Sequence, residues 1–153
     1  MTTSKGEWQD PETGLVGRDF WDSVVRVESA RSARYGRSVT IVLLELVRGP
    51  DIDLQVVLRI AAVLRTATRA SDYLARIGPM TFAVLMPETD EISAINLVER
   101  LRAACDDSLR ALGSPARPAF GWAQASTSTR LEVAIEIAGS RLAHEMAALG
   151  IGT

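Results

Sequence analysis

A chain of 153 residues, 47% apolar and 24% charged, has the size and composition of one soluble globular domain with a single substantial core. Its formal net charge of −2 lacks the basic excess of a general nucleic-acid binder, so no nucleic-acid partner is expected. A single cysteine, Cys105, excludes an intrachain disulfide, and a single histidine, His144, excludes a multi-histidine metal site.

Residues 1–9 read as a flexible polar N-terminal tail, and residues 10–153 as one domain. The start carries no apolar signal stretch, and the longest apolar run, TIVLLELV, is interrupted by Glu45 and far too short for a bilayer. No membrane association is expected, and one unpaired cysteine fits a cytoplasmic, reducing location.

DPETGL is a turn leading into a helix over residues 17–35, where Phe20, Trp21, Val24, Val25, Val27 and Ala30 mark one buried face. The arginine-rich end of this helix, with Glu28, reads as a solvated face, and Gly36 stops it. SVTIVLLELV is a β-branched run of strand length, expected in the centre of a sheet with both faces covered. After the break RGPD, residues 53–68 return to helical spacing.

DYLARI and TFAVLMP are two short strands joined by a Gly-Pro turn, hence a hairpin. Residues 90–112 are helical again, with Ile92, Ile95, Leu97, Leu101 and Ala104 as expected core and Cys105 as a small packed side chain. RPAFGWAQAS is a strand, and residues 130–149 form a last amphipathic helix ending at Gly150. Trp8, Trp21 and Trp122 read as packing residues. The order αβαββαβα with an antiparallel hairpin predicts an α+β fold on one sheet.

Four stretches carry more than periodicity: DPETGLVGR, RYGRSVTIVLLEL, LRTATRASDYLARIG followed by FAVLMPETD, and LVERLR. Together and in this order they resemble the GGDEF domain of bacterial diguanylate cyclases. The first is similar to that family's opening signature, Asp-x-Leu-Thr-Gly-Leu-x-Asn-Arg, from which Glu12 and Gly17 depart. The resemblance implies a nucleotide-cyclase-like fold, a central, mostly antiparallel sheet flanked by helices.

It also implies which positions would carry chemistry. The five residues that resemble the signature hairpin tip are Gly78, Pro79, Met80, Thr81 and Phe82. Phosphoryl transfer needs divalent metal held by hard carboxylate oxygens. Met80 offers a thioether, Thr81 a neutral hydroxyl, and Pro79 lacks a backbone N–H for phosphate. Glu45 stands where the family places a metal-binding Asp, either as a relic ligand or as a strand-end carboxylate facing solvent. LVRGPDIDLQ behind it is shortened and has no Asn or His to read a base, and RLAHEMAALG lacks the family's late lysine. The domain is therefore expected to be degenerate and no enzyme, with no catalytic residues, no metal and no cofactor. Pro79 and Met80, at an exposed tip, could belong to a partner contact.

A second family feature stands in place. The resemblance puts an allosteric Arg-x-x-Asp motif at Arg69 and Asp72, completed by Arg100 of VERLR, while Asn96 replaces a further arginine one turn earlier. The chemistry suits a guanine dinucleotide. A guanidinium can donate twice to guanine O6 and N7 or pair with phosphate, and a carboxylate can accept from N1–H and N2–H. Another Arg-x-x-Asp, Arg48 to Asp51, occurs in the same chain, and Asp72 could equally serve as a turn residue bonded to backbone. Two readings follow: a cyclic di-GMP receptor signalling through a protein partner or a homodimer, or a nucleotide-independent interaction or dimerisation module.

Overall fold

The computed structural model describes residues 8–49 and 53–150. Its elements follow the predicted order: α1 Arg18–Tyr35, β1 Val39–Val47, α2 Leu54–Ala67, β2 Tyr73–Gly78, β3 Thr81–Pro87, α3 Glu91–Ala111, β4 Arg117–Ala125 and α4 Leu131–Ala148. The start and stop signals act as local chemistry requires. Gly36 takes a left-handed φ of 62° and returns its N–H to the Ser32 carbonyl, closing α1. Asp53 and Asp90 cap α2 and α3 by accepting from the N–H groups of Val56 and Ser93.

The four strands form one sheet in the order β2-β3-β1-β4, every pairing antiparallel. Alternation along β1 divides the interior in two. Val42, Leu44 and Leu46 face α2 and α3, where Val57, Ile60 and Leu101 pack. Ile41 and Leu43 face α1 and α4, against Trp21, Val24 and Ala138. At Gly121 the backbone of α4 rests directly on β4: a Cβ there would lie 2.0 Å from the Ala138 carbonyl oxygen. The result is the expected α+β architecture. Among the described residues, no helix is long and apolar enough to cross a membrane.

Four expectations are corrected. On α1, Val27 is 56% exposed and Ala30 is exposed as well, and the buried stripe runs Trp21, Val24, Glu28, Ser32. On α3, Ile92 is 71% exposed and Ile95 is also exposed, because the stripe continues from Ala94 through Leu97, Leu101 and Cys105. A small alanine fits where the helix lies close to the sheet, so side-chain size there misled the pattern. Met80 is not at the exposed surface of the hairpin tip but buried in the α2–α3 core. Of the predicted tail, residues 1–7 lie outside the described residues, whereas Trp8 packs on Phe20 with ring centroids 5.5 Å apart and Gln9 bridges to Val16. Residues 50–52, within the predicted break, also lie outside the described residues.

Candidate functional site

The segment after α2 must turn sharply to start β2, and Asp72 organises that turn. Its Oδ2 accepts the Arg69 backbone N–H at 2.9 Å, its Oδ1 accepts Arg69 Nη2 at 3.2 Å, and its own N–H donates to the Arg69 carbonyl at 3.0 Å. The Asp72 side chain is thereby only 3% exposed, while that of Arg69 is 58% exposed. Arg69 Nη2 also donates to Thr89 Oγ1 at 2.6 Å. Thr89 is itself fixed, because its carbonyl accepts from the buried Thr40 hydroxyl at 2.6 Å.

Arg100, on α3, reaches back to the Ala67 carbonyl at the end of α2, 3.5 Å away. Arg69, Asp72, Arg100 and Asn96 line a single cleft of about 380 Å³ between the end of α2, the first turns of α3 and the loop after β3. All three sequence-predicted site residues are brought together. Two carboxylates share the rim. Asp90 is occupied by its cap on α3, and the bond from Ser93 holds its carboxyl below the ordinary range. Glu88, in a left-handed conformation at φ 54°, is ion-paired with Arg37.

On the other side of Arg69 lies a larger cavity of about 630 Å³, whose lining includes Arg31, Tyr35, Arg37 and Tyr73. Its most enclosed polar group is Glu28, 2% exposed, which accepts from the Tyr73 hydroxyl at 3.2 Å and from Arg31 at 3.1 Å. Burial first, and the neighbouring Glu28 charge second, push the Tyr73 hydroxyl above its ordinary value. The expectation of a solvated Glu28 is thus overturned. The signal that could have found it is its place in the 21-24-28-32 stripe, which periodicity shows and polarity conceals.

The hairpin tip stands at the opposite end of the sheet. Met80 turns its side chain into the core and its carbonyl accepts the Leu46 N–H at 2.9 Å. Thr81 donates its hydroxyl to Glu45 Oε1 at 2.9 Å across the β1–β3 ladder. Glu45 is therefore a partly buried, hydrogen-bonded carboxylate rather than a free one facing solvent. Arg76, 7% exposed, donates twice to the Pro79 carbonyl and also grips Asp10 and Glu12 of the opening turn. Among the described residues no three His, Cys, Asp or Glu side chains converge as a metal site.

A family model described as "Diguanylate cyclase, GGDEF domain" matches residues 7–143. This chain belongs to the GGDEF family. Among curated relatives, the GGDEF domain is 34% identical over 103 residues to the diguanylate cyclase DgcP of Pseudomonas aeruginosa, covering 62% of this chain and 15% of that protein. It is 27% identical over 101 residues to the probable diguanylate cyclase DgcC of Escherichia coli K12, covering 61% of this chain and 27% of that one. The matches thus span about a quarter or less of those relatives. Among solved structures, the GGDEF domain of DgcB from Caulobacter crescentus, crystallised with c-di-GMP, superposes with a TM-score of 0.80 at 16% identity, over 99% of this chain and 93% of that one.

Within this GGDEF domain the hairpin Gly78–Phe82 and the arginine-lined clefts therefore lie at opposite ends of β2 and β3. Cys105 belongs to neither. Burial pushes its thiol up to about 12, an inert packed side chain as expected.

Proposed function

We propose that this GGDEF domain performs no cyclase chemistry and acts as a receptor for cyclic di-GMP, taken up at the Arg69–Asp72–Arg100 cleft and signalled through contacts with a protein partner or a second copy. The observation that carries the proposal is the convergence of Arg69, Asp72 and Arg100 on one open cleft. Arg69 is held by two side-chain partners yet remains more than half exposed, so its fork is oriented and still reachable. The two guanidiniums suit a ligand with two phosphates, and an Arg fork suits the O6/N7 edge of guanine. Glu88 and Asp90, which would repel such a ligand, are each engaged by another group. The DgcB domain, of the same fold, was solved with c-di-GMP.

Support for the loss of catalysis comes from the donor set at the hairpin. The divalent metal that cyclase chemistry requires does not fit these residues: a buried thioether, a hydroxyl already donating, and one carboxylate accepting from that hydroxyl. A change in conformation follows only if cyclic di-GMP binds two states of the domain unequally.

A second reading, a nucleotide-independent interaction module on the cyclase scaffold, draws on one observation. Both Asp72 oxygens are engaged by Arg69, as a purely structural turn would have them. Thermal unfolding with and without cyclic di-GMP separates the two. A ligand-dependent rise in Tm that Arg69→Ala abolishes supports the receptor; no rise at any ligand concentration leaves the module. Turnover of GTP with magnesium would overturn the non-catalytic assignment.

A further inference from the structure

Strand β4 is an end strand of the sheet, so one side of its backbone has no strand partner. In an antiparallel pair, alternate residues direct their N–H and C=O away from the neighbour. Pro118, Phe120 and Trp122 are such residues, and each is blunted differently. Pro118 has no N–H to offer. The Phe120 N–H donates to Glu145 Oε2 of α4. The Trp122 carbonyl accepts Arg141 Nη1 of α4 at 2.6 Å.

The geometry is matched. Residues 141 and 145 are one helical turn apart, about 6 Å along α4. Residues 120 and 122 are about 6.8 Å apart along β4. Two α4 side chains can therefore meet two successive outward backbone groups, one as acceptor and one as donor. The same two side chains also reach around the strand to α3, on the other face of the sheet, Glu145 through its second oxygen and Arg141 through the same Nη1. Glu145 Oε1 receives Arg102 Nη2 at 2.7 Å, and Arg141 Nη1 also reaches Glu91 Oε1 at 3.1 Å. The Arg102 guanidinium lies over the Phe120 ring, 4.9 Å from its centroid.

We propose that Glu145 and Arg141, backed by Arg102 and Glu91, form a lock that closes the free edge of β4 against strand addition by a second copy of this chain. A second copy is the occupant being excluded because antiparallel β4–β4 pairing is self-complementary about a two-fold axis. The opposite edge is closed by other means: Val16 donates to the Leu74 carbonyl and accepts from the Arg76 N–H, both at 2.9 Å. With the Phe120 N–H and Trp122 carbonyl engaged on one edge and Val16 bridged to the other, association of the native domain is expected through helical or loop surfaces.

The test combines amide exchange with mass measurement. In the native chain the Phe120 amide, though outside the strand ladder, exchanges at least about tenfold more slowly than an open amide, because a charge-assisted hydrogen bond must break first. In Glu145→Ala/Arg141→Ala that protection disappears and the molar mass in sedimentation rises with concentration. Free exchange at Phe120 in the native chain overturns the lock. So does a folded double variant that keeps the native mass at every concentration. If the double variant does not fold, Glu145→Ala alone is read by the same two criteria.

Discussion

Arg69 occupies both oxygens of the Asp72 carboxylate, one through its backbone N–H at 2.9 Å and one through its guanidinium at 3.2 Å. The two halves of this relationship do different work. The backbone bond builds the turn into β2, while the guanidinium bond is partly exposed and is the one that the proposed ligand would exchange. Arg69→Ala keeps the backbone bond but removes the charged partner of a nearly buried carboxylate, so it is expected to destabilise by about 0.5–1 kcal/mol, less than loss of the carboxylate itself. Asp72→Ala, which removes the turn acceptor as well, is expected to cost about 1 kcal/mol or more. Chemical denaturation of the two variants checks the contrast. Equal losses would show that the guanidinium is as structural as the carboxylate.

Arg37 makes a second, less direct contribution. It holds Glu88, which lines the cleft from a left-handed backbone position. Arg37→Ala releases a carboxylate beside a site that is to take phosphates. Cyclic di-GMP affinity is expected to fall by roughly threefold to tenfold, with the loss shrinking as salt is raised. A titration at two ionic strengths measures it. The conservative Arg37→Lys keeps the pairing charge and most of the affinity.

The opening turn carries an acid-sensitive contact. Burial alone would raise the Asp10 carboxyl, but hydrogen bonds from Thr13 and Arg76 outweigh it and hold the group below its ordinary value of 3.8. A depressed folded value means stability that is complete above 3.8 and lost as pH falls through the lower folded value. Asp10→Asn is therefore expected to be less stable than the native chain at neutral pH. The two unfolding curves converge as the medium becomes more acidic than the native Asp10 group. A difference that persists unchanged into strong acid would place the effect elsewhere.

Gly121 sets the distance between α4 and β4. A Cβ would sit 2.0 Å from the Ala138 carbonyl oxygen and 2.5 Å from the Leu142 nitrogen, both backbone atoms of the helix. Gly121→Ala is expected to destabilise by about 3 kcal/mol, since neither atom can move without shifting α4. Its Tm, compared with Gly139→Ala, where a Cβ meets nothing, gives the control.

The order of elements was legible because each boundary has local chemistry: Gly36 after α1, Asp53 and Asp90 before α2 and α3, and Gly78-Pro79 between β2 and β3. The grouping of Arg69, Asp72 and Arg100 was legible only through the family's motif spacing, since nothing in a linear pattern places α3 against the end of α2. What stayed hidden depends on partners far along the chain. Glu28 is buried because Tyr73, 45 residues later, supplies a hydroxyl. Ile92 is exposed because Ala94 and Leu97 are the residues that meet the sheet-facing core. Glu145 serves a backbone N–H on β4 that no helical pattern can reveal. Short windows show periods; they do not show which of two polar neighbours will find a partner.

The central claim rests on calorimetric titration of the native chain, Arg69→Ala and Arg100→Ala with cyclic di-GMP. The account predicts saturable binding by the native chain with a Kd no weaker than some tens of micromolar, about −6 kcal/mol, at least about tenfold weaker binding for Arg100→Ala, and none for Arg69→Ala. No heat of binding from the folded native chain, or equal affinity in all three, would contradict it.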